Sequence, residues 1–125
     1  MLPLPPAVLE VFYAPSCTPC RLELPVLAAF TQEGGQVRVV ILDEEARARD
    51  ELRAVSPRLE ASAKALTGAS PGDAMRAAGN ANGILPFSRA VTPGGEICAK
   101  WTGRLTLDRA RELVAACAKL MTSRP

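Results

Sequence analysis

Two cysteines, Cys17 and Cys20, follow a predicted strand and stand at the start of a predicted helix. The strand is an almost unbroken apolar run over Val8–Tyr13, and Ala14-Pro15-Ser16 is the predicted turn after it. Cysteines at this spacing can close a disulfide across the first helical turn. The free N–H groups and partial positive charge of the helix start favour a thiolate at Cys17, and the thiolate is the nucleophile in disulfide exchange. The pattern indicates a redox site in which Cys17 attacks and Cys20 resolves.

Composition removes several other classes of function. The chain has 125 residues, which suits one domain over 1–125, and its net charge of +2 gives no reason to propose a nucleic-acid partner. Histidine is absent, which excludes imidazole catalysis and the common imidazole metal sites. The other two cysteines, Cys98 and Cys117, are too far apart to complete a zinc ribbon with the first pair, so no metal site is expected.

The helix that carries the cysteines is predicted over Thr18–Glu33. Pro25 should kink it, because proline removes a backbone donor and crowds the preceding turn. Its buried face is predicted from the apolar residues at helical spacing, which are Leu22, Val26, Ala29 and Phe30.

The rest of the chain predicts three further strands and several helices. Strands are expected at Val37–Leu42, Phe87–Thr92 and Glu96–Thr102, the last two forming a hairpin. Between them, residues 43–82 form a helix-rich connection, and residues 1–6 are an extended lead-in. The first two strands are joined through a helix, which implies parallel pairing. A last helix is capped by Thr106.

The segment FYAPSCTPCRLELP resembles the active-site segment of thioredoxins, and most of all the TlpA-like branch of thiol:disulfide oxidoreductases. The segment Gly83–Pro86, with the hairpin after it, resembles the proline segment and terminal hairpin of the same fold. The resemblance implies the α/β thioredoxin fold, with a central mixed four-stranded sheet in the order second, first, third, fourth and helices on both faces.

The resemblance also implies roles for individual residues. Pro86 should be cis and face the cysteine pair, leaving the backbone of Leu85 free to pair with an extended substrate. Thr18 and Pro19, between the cysteines, should contact the same substrate. Glu23 fits the pattern C-x-P-C-x-x-E-x-P, in which the glutamate lies close to the cysteines and influences their titration. The alternative for Glu23 is an ordinary solvated helix residue.

Some positions depart from the family pattern. Ser16 stands where thioredoxins usually have a tryptophan, and Val11 stands where they keep a buried acid. Glu10 should point to the opposite face of the strand from Val11 and so cannot replace that acid. Cys98 and Cys117 are expected to be two separate, partly buried thiols, although sequence alone cannot decide whether they pair.

The function that follows is a thiol:disulfide oxidoreductase, acting as a reductant. Its partners would be a disulfide-containing protein substrate and an upstream thiol donor, with no cofactor and with the protein a monomer. TlpA-like relatives imply a periplasmic or otherwise extracytoplasmic location, with the export segment missing from this chain. The alternative location is the cytoplasm. The alternative function is a redox-inert interaction or metal-carrier module that uses the cysteine pair as ligands.

Overall fold

A computed structural model describes residues 7–66 and 70–122, and the predicted lead-in over 1–6 lies outside it. The described strands are β1 (Val8–Tyr13), β2 (Gln36–Ile41), β3 (Lys64–Ala65), β4 (Phe87–Val91) and β5 (Ile97–Thr102). The described helices are α1 (Thr18–Leu22), α2 (Leu24–Gln32), α3 (Glu45–Val55), α4 (Pro57–Ser62), α5 (Pro71–Ala77) and α6 (Leu107–Thr122).

The strands form one mixed sheet in the order β3-β2-β1-β4-β5. β1 lies at its centre, parallel to β2 and antiparallel to β4. The order of the four predicted strands is confirmed, but the predicted strand count is wrong, because β3 adds a fifth strand parallel to the end of β2. β3 has only two residues and lies where the sequence lacks an alternating or β-branched run, so the pattern could not reveal it.

Successive side chains of β1 point to opposite faces of the sheet and enter two cores. On the first face, Leu9, Val11 and Tyr13 pack with residues of α2, α3, α4 and α6. On the second face, Phe12 packs with a smaller cluster that includes Met75 of α5. The helices therefore lie on both faces, as predicted, and the second face has the thinner cover.

The predicted first helix is divided in two at Glu23, which ends α1 and caps the start of α2. Pro25 lies in the first turn of α2, where its missing N–H needs no partner. The division changes the phase of the helix, so the predicted buried face is wrong: Leu22 is 54% exposed, whereas Leu24 and Leu27 are buried. Of the predicted face, only Phe30 is fully in the core.

Candidate active site

Cys17 and Cys20 lie at the carboxyl end of β1 and form a disulfide, with their Cα atoms 5.2 Å apart. Cys17 caps α1, and its Sγ accepts a hydrogen bond from the backbone N–H of Cys20 at 3.2 Å. The backbone N–H of Cys17 in turn donates to the carbonyl of Ala14 at 2.9 Å, which fixes the turn after the strand. The predicted redox pair is thus assembled by the strand–turn–helix sequence that precedes it.

The two cysteines differ in their access to solvent. Cys20 is only 2% exposed and belongs to the first core, whereas Cys17 is partly exposed. Thr18 and Pro19, between them, are exposed. A partner disulfide can therefore reach Cys17 but not Cys20, which is the asymmetry that an attacking and a resolving thiol require.

Pro86 directly precedes β4. The Leu85–Pro86 peptide bond is cis, and the Pro86 carbonyl accepts a hydrogen bond from the N–H of Gly103 at 2.9 Å. Phe87, the next residue, pairs with Phe12 near the carboxyl end of β1. Pro86 therefore lies at the same end of the sheet as the turn that leads to Cys17.

The loop before Pro86 is fixed by a residue that the sequence analysis did not select. Asn80 is 5% exposed, and its side-chain Nδ2 donates to the carbonyl of Ile84 at 2.7 Å. Its backbone N–H donates to the carbonyl of Met75 in α5 at 2.9 Å. An asparagine in a glycine-containing turn is so common that the sequence carried no signal for this contact.

Glu23 is buried, so the alternative of a solvated helix residue is wrong. It is only 1% exposed, and its carboxylate accepts a hydrogen bond from the backbone N–H of Leu105 at 2.6 Å. Burial disfavours the charged form and raises the pKa of Glu23 to about 7, although the hydrogen bond from Leu105 and the positive charge of Arg104 oppose that rise. The backbone N–H of Glu23 donates to the carbonyl of Cys20 at 3.2 Å, which closes the last turn of α1.

β1 has no acid on the face where thioredoxins keep a buried one, because Val11 stands at that position. Val11 is 2% exposed, and its neighbour in β4 is Ser88, whose buried hydroxyl has no hydrogen-bond partner in the described part of the chain. Glu10 faces the other way, as predicted, and bonds to Arg38 and Arg89. Glu23 is therefore the buried carboxyl group that lies closest in sequence to the cysteine pair, three residues after Cys20.

Cys98 and Cys117 form a second disulfide, so the expectation of two separate thiols is wrong. Their Cα atoms are 5.0 Å apart, within the range that a disulfide spans. The register between β4 and β5 shifts so that Val91 pairs with Ile97 and Ala90 with Ala99, leaving Cys98 as an extra residue. Without the shift, alternation along β5 would put Cys98 on the face away from Trp101, whereas this bulge turns it toward Cys117 of α6.

Across residues 7–66 and 70–122, no group of three or more cysteine or acidic side chains is placed to hold a metal ion. Within the same ranges, no helix combines the length and apolar character needed to span a bilayer.

Comparison with known proteins gives the thioredoxin fold. No protein-family model matches the sequence, and no curated protein matches it. A thioredoxin-related protein from Neisseria meningitidis serogroup B is 26% identical, with a TM-score of 0.70 over 96% of this chain and 87% of that one. A thiol:disulfide interchange protein of the thioredoxin family from Chlorobium tepidum is 18% identical, with a TM-score of 0.64 over 88% and 78% of the two chains. An exposed lipoprotein thioredoxin from Streptococcus pneumoniae is 17% identical, with a TM-score of 0.64 over 88% and 84%.

Proposed function

We propose that this thioredoxin-like protein is a thiol:disulfide oxidoreductase that reduces disulfides in a partner protein. The main support is that a partly exposed Cys17, at the start of α1, is paired with a buried Cys20. The likeness to a thioredoxin-related protein and to a thiol:disulfide interchange protein supports the same chemistry. We place the activity in one domain spanning the chain and acting as a monomer.

The reaction has two exchange steps. The Cys17 thiolate attacks one sulfur of the substrate disulfide, forms a mixed disulfide and releases the first substrate thiolate. The Cys20 thiolate then attacks the Cys17 sulfur, which releases the second substrate thiolate and leaves the Cys17–Cys20 disulfide. The substrate gains two electrons that the protein loses. An upstream dithiol donor restores the reduced pair by the same steps in reverse.

We assign substrate contact to the residues around the cysteine pair. Thr18 and Pro19 are exposed between the cysteines and can meet the residues that flank a substrate disulfide. Leu85 and Pro86 lie at the same end of the sheet. We assign them to the opposite side of the substrate, where the Leu85 backbone would pair with an extended segment. Asn80 is a positioning residue for this loop, since it bonds to the carbonyl of Ile84.

Glu23 is assigned to proton handling at Cys20. With a pKa of about 7, its carboxyl group exchanges a proton near neutral pH. When ionised, its negative charge should disfavour a thiolate on the cysteines of the reduced pair. The protonated carboxyl group can supply the proton that moves as Cys20 attacks, and the ionised carboxylate can accept it.

The test is reduction of insulin by the purified, reduced protein, followed by precipitation of the freed B chain. Wild type and the Cys98→Ser/Cys117→Ser variant should both reduce insulin, whereas Cys17→Ser should not. Loss of activity only in Cys17→Ser assigns the reaction to the predicted pair. Equal activity in Cys17→Ser, or stoichiometric metal binding without insulin reduction, would favour the carrier alternative.

An extracytoplasmic location is proposed on two grounds. The chain has a second disulfide, Cys98–Cys117, and structural disulfides persist mainly in oxidising compartments. The Streptococcus pneumoniae protein of the same fold is an exposed lipoprotein. Alkylation of intact cells followed by mass spectrometry would find Cys98 and Cys117 protected as a disulfide, whereas two alkylated thiols would indicate the cytoplasm.

A further inference from the structure

The second face of the sheet carries a cavity of about 450 Å³ that the disulfide chemistry does not use. Its apolar wall is formed by Phe12 of β1, Val40 of β2, Leu66 after β3, and Ala74 and Ala77 of α5. α5 has only seven residues and is the only described helix that contributes to the core on this face. The cavity is therefore the part of the sheet that α5 leaves uncovered.

Charged residues line the rest of the cavity and carry more positive than negative charge. These residues are Glu10, Arg38, Lys64 and Arg89. The Glu10 carboxylate is buried, accepting from Arg38 Nη1 at 2.5 Å and from Arg89 Nε at 2.7 Å. Both carboxylate oxygens are thus occupied. Lys64 is exposed, and no ion pair joins it to another of the described residues.

With three cations and one carboxylate, these four side chains carry a net charge of +2. One arginine neutralises Glu10, so the second arginine and Lys64 leave positive charge at the mouth of the cavity that an entering anion would meet. Arg89 has an additional hydrogen bond to the Ala78 carbonyl at 3.0 Å, but that acceptor is neutral. Arginine has five N–H donors in all, so donors remain on both arginines for a carboxylate that enters the cavity.

We propose that this cavity binds a small carboxylate with an apolar body, of the size of a medium-chain fatty acid. The volume lies within the range of about 300–1,000 Å³ typical of small-molecule sites. The carboxylate would lie against Arg38 and Lys64 at the charged side, and the apolar body against Phe12, Val40 and the alanines of α5. The site is separate from the cysteine pair and does not depend on the redox function.

Decanoate is the probe, with decanol as its uncharged analogue, titrated into the oxidised full chain and followed by amide chemical shifts. Decanoate should shift the signals of Phe12, Val40 and Ala77 and leave those of Leu113, on the other face, in place. Decanol should bind at least about tenfold more weakly, because it lacks the charge that the arginines and Lys64 recognise. Equal binding of the two probes, or no binding of decanoate, would overturn the proposal.

Two variants and a matched control locate the site. Lys64→Gln should weaken decanoate binding about five- to tenfold, and Ala77→Trp, which fills the cavity from α5, should abolish it. Arg47→Gln on α3 removes the same charge on the other side of the sheet and should bind decanoate like wild type. Unchanged affinity in Lys64→Gln and Ala77→Trp would contradict the proposal. Insulin reduction should be the same in all of these variants, so the two proposals can fail separately.

Discussion

The carboxylate of Glu23 and the backbone N–H of Leu105 form a buried hydrogen bond of 2.6 Å that joins the α1–α2 junction to the chain just before α6. The two residues are 82 positions apart in the sequence. This bond opposes the effect of burial on the pKa of Glu23 but does not cancel it, since the pKa is still raised to about 7. Glu23 is thus buried at a position where ionisation is costly near neutral pH.

The protein should become less stable as pH rises, because Glu23 is buried and its pKa is raised. Its pKa is about 7 in the folded state against an ordinary value of 4.5, so the folded state holds the proton more tightly. The stabilisation is complete below about pH 4.5 and is lost as pH rises through about 7, a change on the order of 3 kcal/mol. Urea unfolding of wild type and Glu23→Gln across this range measures the effect. The free energy of unfolding of wild type, relative to that of Glu23→Gln, should fall as pH rises and become constant above about pH 8. A difference that is independent of pH would contradict the raised pKa.

Glu23→Gln should also change the reactivity of the cysteines. Removing a nearby negative charge should lower the pKa of both thiols, and removing the proton carrier should slow attack by Cys20, by about a hundredfold. Alkylation of Cys17 against pH measures the first effect, and stopped-flow release of a mixed disulfide measures the second. Glu33→Gln, on an exposed residue paired with Arg111, is the matched control and should change neither. Unchanged titration and rates in Glu23→Gln would remove Glu23 from the mechanism.

Cys20→Ser should trap partner proteins in mixed disulfides. The buried resolving thiol is missing in this variant, so the bond between a substrate and Cys17 persists. Non-reducing gels and mass spectrometry of the trapped species should find the linkage at Cys17. Cys17→Ser is the control and should trap little, because Cys20 is only 2% exposed. Efficient trapping at Cys20 in that control would reverse the two roles.

Loss of the Cys98–Cys117 disulfide should lower stability without lowering activity. The two residues are 19 positions apart, and a loop of that size corresponds to about 3 kcal/mol of stabilisation. Cys98→Ala/Cys117→Ala should therefore unfold at lower urea concentration than wild type while reducing insulin at a similar rate. A variant as stable as wild type would show that the link contributes little to the fold.

Asn80→Ala should impair substrate binding more than turnover. The change removes the side-chain hydrogen bond to the Ile84 carbonyl, which fixes the loop before Leu85 and Pro86. We expect KM for a peptide disulfide to rise about fivefold to tenfold, the effect of roughly one lost hydrogen bond, with kcat nearly unchanged. Asn82→Ala, on an exposed residue of the same loop, is the control and should leave KM as it is. A fall in kcat alone would contradict the positioning role.

The strand–turn–helix around the cysteine pair was predictable because each local signal agrees with the fold. The apolar run of Val8–Tyr13 is a strand covered on both faces, and the helix that follows begins at Thr18. The features that were missed depend on contacts distant in sequence or on single-residue shifts. The burial of Glu23 needs Leu105, and the pairing of Cys98 depends on one extra residue in β5. Neither leaves a periodic pattern from which it could be predicted.

The interruption between α1 and α2 also affects what the protein presents to a partner. A continuous helix would have buried Leu22, which instead remains 54% exposed at the end of α1. Leu22 lies four residues after Thr18 and so on the same side of the helix, one turn further from the cysteines. A protein that docks against Thr18 would therefore also cover an apolar side chain, so hydrophobic burial would contribute to docking beside the exchanging sulfurs.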